Sequence, residues 1–101
     1  MSAANRLVLD GAIAARDALR YTPAGIAIVN FVVIHDSAQS EAGTERQVSL
    51  ELACVGVEEI ARVVAASPVG ARVRVDGFLA PKGRSSRQPV LHVNELEFLQ
   101  A

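Results

Sequence analysis

Five short segments of β-branched and apolar residues recur along the chain, and clusters of Gly, Pro, Ser and Asp separate them. Repeated segments of this kind predict an all-β protein, because short strands bounded by turn residues close into a small barrel or sandwich. The predicted strands span residues 5–14, 26–34, 46–55, 71–80 and 90–99. One further segment, 57–66, has apolar residues at helical spacing and two acids in its first turn, which predicts a helix that ends at Ser67-Pro68.

The predicted order is therefore three strands, one helix and two strands. This is the chain order of the OB-fold, a partly open five-stranded Greek-key barrel. The chain has 101 residues and shows no internal repeat and no linker-like stretch. We expect a single OB-fold domain that covers residues 1–101, with half of its residues apolar and available for one core.

The second and third predicted strands differ in how their apolar residues are arranged. Only Asn30 is strongly polar within 26–34, so one face of this strand is expected to meet the core and the other a second copy of the chain, which predicts a homodimer. The third strand alternates, and should bury Leu50 and Cys54 while Ser49 faces outward. Cys54 is thus expected to be a small core residue and not a nucleophile.

The fifth predicted strand carries two apolar pairs that are out of phase. Leu91 and Val93 fall on one face of a regular strand, and Leu96 and Phe98 fall on the other. A β-bulge near residues 94–95 would turn both pairs inward. Phe98 is therefore assigned to the core.

Composition excludes several classes of protein. One cysteine and two histidines cannot supply a disulfide framework or a Cys/His zinc site, so we expect no metal, no cofactor and a reducing, cytoplasmic location. The longest apolar run, 26–34, is too short to cross a bilayer, and no membrane contact is expected. His35, Asp36 and Ser37 are only sequence neighbours, which does not build a catalytic triad, and His35 is assigned to the surface at a strand end. We expect no catalytic residue and no enzyme.

Positive charge is concentrated in one stretch of the chain. Residues 71–93 contain five Lys or Arg and one acid, a net charge of +4, although the whole chain carries −1. Such a local excess can bind a polyanion. Within it, Lys82, Arg84 and Arg87 lie in a Gly- and Ser-containing segment, 81–88, that has no acid and could follow a phosphate backbone.

Three connections are predicted to be long loops: 15–25, 35–45 and 81–89. The first and last of these flank the ligand face in OB-folds. The basic segment 81–88 lies in the last of these loops, so we expect a nucleic-acid site on this face.

Aromatic residues, on which single-stranded nucleic acids usually stack, are few. Phe31 is assigned with Phe98 to the core, which leaves Tyr21 in the first loop and Phe78 on the wetter face of the fourth strand as candidate stacking residues. Arg74, on the same face as Phe78, is assigned to the DNA-binding site with them. Stacking cannot dominate the affinity in such a protein. Binding is expected to be weak, to rest on phosphate contacts and to fall steeply with salt.

Several motifs carry a resemblance to a known superfamily. They are NRLVLDG at 5–11, RYTPAG at 20–25, NF at 30–31 and GARVRVDGF at 70–78. In order and spacing they resemble the bacterial single-stranded DNA-binding protein superfamily, and IHDS at 34–37, EAG at 41–43 and RQ at 46–47 resemble its PriB family. The resemblance spans residues 5–99. It implies an OB-fold homodimer without catalytic activity, which binds single-stranded DNA and bridges the PriA helicase and DnaT at stalled replication forks.

The resemblance also assigns residues to the DNA site. It places the basic contact positions of the family on Arg20, Lys82, Arg84 and Arg87. Two positions depart from the family pattern: an outward aromatic residue of the third strand is Ser49 here, and a cation after the second strand is Asp36. Both changes weaken DNA binding.

Three other functions remain open. A protein-only assembly adaptor with an OB-fold would dock its basic loop on an acidic partner and bind no DNA at any salt concentration. A general single-stranded DNA-binding protein is the second, although no acidic run follows Leu99, where such proteins usually carry a long acidic tail. An OB-fold module for RNA or tRNA is the third, and it would prefer RNA to DNA.

Overall fold

The strands and the helix follow in the predicted order, with one short strand added. A computed structural model describes residues 3–100. Its strands are β1 (Leu7–Arg16), β2 (Arg20–Tyr21), β3 (Ala27–Glu41), β4 (Thr44–Val57), β5 (Arg72–Gly83) and β6 (Ser86–Phe98), and the helix α1 (Glu59–Ala65) lies between β4 and β5. The two-residue β2 falls within the first of the three expected loops and pairs with β3.

Strand β1 closes the barrel by pairing with two different strands. Its residues 7–12 pair antiparallel with β5, and its residues from 12 to 16 pair antiparallel with β3. Strands β4 and β6 pair in parallel where Cys54 lies opposite Leu91, which completes the ring of five long strands. The predicted five-stranded OB-fold barrel with one helix is confirmed.

Gly11 allows β1 to pass from one partner strand to the other. A Cβ atom at this position would lie 2.2 Å from the carbonyl oxygen of Ile34, so a larger residue would push β3 away. The register of β1 against β3 also shifts between Ile13 and Ala15, as at a β-bulge.

The core is filled by alternate residues of the long strands. The largest fully buried side chains are Ile13, Val29, Val33, Cys54, Val64, Val73, Val75 and Leu91. Helix α1 contributes Ala61 and Val64 and packs against β3, β4 and β6. Phe31 and Cys54 are buried as predicted, and burial raises the pKa of the Cys54 thiol to about 12, which leaves it protonated and unreactive at neutral pH.

Two of the expected loops are β-hairpins, and the prediction is wrong there. Strands β3 and β4 stay paired until Glu41 lies opposite Thr44, so most of 35–45 is strand. Ala42 and Gly43 take left-handed φ angles of 54° and 78°, as a tight two-residue hairpin turn requires. Strands β5 and β6 likewise pair along 81–89. A hairpin arm that projects into water has no buried face, so its strands need no apolar alternation. Without that alternation, the polar composition of these segments predicts loops.

Two side chains in the β3–β4 arm differ from their expected positions. Leu50 is 40% exposed and not buried, because it lies where the arm leaves the barrel. His35 is not at a strand end but within β3, and it is half-buried. Its Nδ1 lies 2.6 Å from the carbonyl oxygen of Asp10 and its Nε2 lies 2.7 Å from Ser37 Oγ, so both ring nitrogens have partners.

The predicted bulge in the last strand is confirmed, with one error in its consequences. The register of β6 against β5 skips Asn94. This turns both Val93 and Leu96 toward the core. The assignment of Phe98 to the core is wrong, since its side chain is 49% exposed at the last residue of β6, past the packed layers.

Candidate nucleic-acid interface

A groove of about 500 Å³ crosses the outer face of the barrel. Its floor is formed by outward residues of β3, β4 and β6: Ile28, Asn30, Val32, Ala53, Val55, Val90 and His92. Arg16, Asp17 and Arg20 line one side, and Pro81 and Lys82 line the other. The groove therefore has a mostly apolar floor between charged walls.

The strand order sets the separation of the two walls. The strands run β5-β6-β4-β3-β2 across the groove, so Arg20 on β2 and Lys82 on β5 stand on opposite sides of the floor. Four strand spacings separate β2 from β5, a distance of about 19 Å. Arg84 and Arg87 lie in the β5–β6 hairpin that continues outward from Lys82. Two of the four predicted basic residues, Arg20 and Lys82, thus line the groove, and the other two lie in the hairpin beyond it.

Ion pairing removes positive charge from other parts of the surface. Four pairs are formed: Arg6–Asp76, Arg46–Glu41, Arg62–Glu58 and Arg74–Asp10. Between residues 3 and 100, the cations that have no such partner include Arg20, Lys82, Arg84 and Arg87. Apart from Arg72 at the start of β5, the unpaired cations of residues 3–100 lie at the groove and its hairpin, although the chain is weakly acidic overall.

Arg74, which sequence reasoning included in the site, lies outside the groove. Its Nε donates to Asp10 Oδ1 at 2.6 Å, and its Nη2 donates to Asp10 Oδ2 at 3.0 Å. The two residues face each other in the β1–β5 register. The hydrogen bond from Arg74 holds the pKa of Asp10 below its ordinary value.

Replacing Arg74 by alanine should raise the pKa of Asp10 toward its ordinary value of 3.8, because the carboxylate loses its hydrogen bond and its nearest positive charge. NMR titration of the carboxyl carbon would measure this. The matched control is Arg72→Ala, since Arg72 acts on Asp10 only through charge and more weakly. An unchanged pKa in the Arg74 variant would mean that the pair does not form in solution.

The same ion pair links folding stability to pH. The pKa of Asp10 is lower in the folded protein than in the unfolded chain, so the ionised carboxylate stabilises the fold above pH of about 4. This contribution is lost as the pH falls through the lower, folded pKa. The Arg74→Ala protein should therefore lose less stability than the parent on acidification.

The aromatic candidates occupy different positions. Phe78 is 39% exposed and stacks on His92, with ring centroids 5.1 Å apart and planes inclined by 7°. His92 lines the groove floor, and sequence reasoning missed it. The available signal was that His92 lies two residues after Val90 on the last predicted strand, which places both side chains on the same face. Tyr21 is 60% exposed beside Arg20 but does not line the groove.

The two departures from the resembled family pattern meet in the structure. Asp36 and Ser49 are cross-strand partners in the β3–β4 arm, and the Ser49 hydroxyl donates to the Asp36 carboxylate. Neither residue lines the groove. A carboxylate here gives no attraction to a polyanion that leaves the groove along this arm.

No group of three or more His, Cys, Asp or Glu residues within 3–100 is arranged to hold a metal ion. In that same range, no helix combines the length and the apolar character needed to cross a membrane.

Sequence comparisons match almost the whole chain. Residues 5–95 match the model of a family described as "another single-strand binding protein family". The chain is 36% identical over 95 residues to the replication restart protein PriB of Nitrosomonas europaea, covering 94% of this chain and 88% of that protein. It is 34% identical over 91 residues to PriB of Bordetella pertussis, covering 90% and 85%.

Solved structures give the same result for the fold. PriB from Ralstonia solanacearum superimposes with a TM-score of 0.87 at 35% identity, over 97% of this chain and 100% of that one. The single-stranded DNA binding protein from Thermus aquaticus superimposes with a TM-score of 0.77 at 23% identity, over 96% of this chain and 50% of that one. The second likeness is one of fold alone.

Proposed function

Because the chain belongs to the PriB family of single-strand binding proteins, we propose that it binds single-stranded DNA as an accessory protein of replication restart. One observation carries the proposal: in residues 3–100 the cations of the groove and its hairpin have no acidic partner, whereas Arg6, Arg46, Arg62 and Arg74 do. Arg72 is the one arginine outside the groove and hairpin of that range that forms no such pair. A DNA strand in the groove contacts Arg20 on one wall and Lys82 on the other. Arg84 and Arg87 then follow the phosphates beyond it.

The binding is weak and mainly electrostatic. Only four aromatic residues are present, and Phe31 is in the core. The family's outward aromatic position holds Ser49, which is bonded to Asp36 and lies off the groove. Each missing base stack removes about 1–3 kcal/mol of binding free energy. Phosphate contacts therefore supply most of the affinity.

We propose that the protein bridges the PriA helicase and DnaT at stalled forks and performs no catalysis itself. Two features support a role in binding only. Burial raises the pKa of the Cys54 thiol to about 12, and both ring nitrogens of His35 are engaged in hydrogen bonds. Pull-down of each purified partner by the tagged protein, with and without DNA, tests the bridge.

We also propose that the protein is a homodimer. Ile34, on the outer face of β3, is 39% exposed, and Val8 on β1 is exposed as well. Residues 7–11 of β1 pair with β5 along one edge only, which leaves the other edge open to a strand from a second copy. Sedimentation equilibrium should give twice the chain mass of 10.7 kDa. A mass of one chain at micromolar concentration would exclude the dimer.

The DNA site is tested by two single substitutions on the same strand. Lys82→Ala removes a groove cation without a partner, and Arg74→Ala removes a β5 cation that Asp10 already neutralises. At about 50 mM salt, the loss of one phosphate contact weakens binding about fivefold to tenfold. We expect this loss for Lys82→Ala and less than a twofold change for Arg74→Ala. Fluorescence anisotropy of a labelled oligothymidylate gives both affinities.

Other outcomes of that titration would favour other functions. Equal losses for the two variants would contradict the groove as the binding site. No DNA binding by the parent protein at any salt would favour the protein-only adaptor, with the hairpin docked on an acidic partner. Tighter binding of an oligouridylate of equal length would favour the RNA module.

A further inference from the structure

We propose that the stacked Phe78–His92 pair is a base-contact subsite, in which His92 touches a nucleobase and Phe78 is the positioning residue that holds the imidazole in place. This inference rests on the proposed single-strand binding function. It extends that function, which so far depends on phosphate contacts alone, by assigning the position where a base is held.

The position of His92 is set by three neighbouring strands. It lies on the outer face of β6, with Phe78 opposite it on β5 and Val55 opposite it on β4. His92 and Val55 both line the groove, in the floor between the wall that carries Arg20 and the wall that carries Lys82. A strand whose phosphates contact Lys82 and Arg20 therefore passes over the imidazole.

The imidazole of His92 is held in place by stacking, but its nitrogens are not engaged by other side chains of the described residues. The ring of Phe78 lies nearly parallel to it, inclined by 7° at a centroid distance of 5.1 Å, which fixes the plane of the side chain. Among residues 3–100, the nitrogens of His92 form no side-chain hydrogen bond, whereas both ring nitrogens of His35 do. His92 thus offers a donor and an acceptor, and a flat ring edge, to a ligand in the groove.

The pair also resolves which ring can take part in base contact. Phe31 borders the groove, but its side chain is 2% exposed and packs in the core. Tyr21 is exposed but does not line the groove. Phe98, the last residue of β6, does not line it either. His92 lies in the floor between the cations, and Phe78 stacks on it from beside the groove. A base held there would be bound by contact with a ring, and such contact does not discriminate between base sequences.

The test uses two oligonucleotides of equal length and charge, an oligothymidylate and its abasic counterpart, at about 20 mM salt where phosphate contacts alone give measurable binding. His92→Ala should weaken binding of the oligothymidylate about fivefold to tenfold and leave the affinity for the abasic strand unchanged. Phe78→Leu, which keeps an apolar side chain but no ring, should show a smaller loss confined to the same oligonucleotide. His92→Phe should restore most of the affinity that contact with a flat ring provides.

Lys82→Ala is the control, because a phosphate contact is lost equally from both oligonucleotides. Thermal unfolding of each variant separates local effects from unfolding. If His92→Ala weakens both strands alike, or neither, the base-contact subsite is wrong even though the proposed function stands. If the parent protein binds neither strand, the proposed function itself fails, and the subsite with it.

Discussion

Replacing Lys82, Arg84 and Arg87 together by alanine should lower the affinity for single-stranded DNA about 100-fold or more at about 50 mM salt. These three cations lie on one wall of the groove and on its hairpin, and no ion pair holds them within the described chain. Each lost phosphate contact also removes about 0.7 from the slope of log affinity against log salt. The variant should therefore bind weakly and respond little to salt in an anisotropy titration.

A second triple variant provides the control for net charge. Arg6, Arg46 and Arg62 are exposed, and each is paired with an acid. Their replacement by alanine changes the net charge equally but leaves the groove intact, and exposed ion pairs of this kind add only about 0–1 kcal/mol each to stability. We expect a far smaller loss of DNA affinity. Similar losses in the two variants would mean that net charge, and not the hairpin, governs binding.

Gly77→Ala should destabilise the fold by about 3 kcal/mol, a large part of the total for a domain of this size. A methyl group at Gly77 would lie 1.9 Å from the carbonyl oxygen of His92 and 3.0 Å from the Cα atom of Val93. Both are backbone atoms of β6, so no rotamer change can relieve the contact. The two strands would have to separate beside the bulge at Asn94. Urea unfolding measures the loss.

Gly83→Ala is the matched control on the same strand. No heavy atom lies within 4 Å of a Cβ atom built at Gly83, and its φ angle is not left-handed. The midpoint of unfolding should change little. If Gly77→Ala were as stable as Gly83→Ala, the close approach of β5 to β6 at this point would be contradicted.

The sequence was sufficient to predict features that depend on local patterns. Alternation of apolar residues located the five long strands and placed Cys54 in the core, and helical spacing located α1. The phase change between Leu91 and Leu96 predicted the bulge at Asn94, because only an extra residue can turn both to one side. These features depend on which face of a strand or helix is buried, and the order of apolar and polar residues along the chain indicates that directly.

Features that depend on register could not be predicted in the same way. Arg74 was grouped with the DNA-binding cations because its partner, Asp10, lies 64 residues away and meets it only through the β1–β5 register. His92 was missed because a single histidine gains a role only from its neighbours across the sheet. The sequence gives no hairpin signal for the β3–β4 arm, because its Ala42-Gly43 turn lacks the Asn or Asp that usually precedes Gly in a two-residue hairpin turn.

We propose that the protein holds single-stranded DNA through a few phosphate contacts in the groove. The most direct test is the salt dependence of oligothymidylate binding by the parent protein, followed by anisotropy from about 20 to 200 mM salt. Three or four contacts for each chain predict a log–log slope of roughly −2 to −3. A slope near zero with tight binding, or no binding even at the lowest salt, would contradict the account.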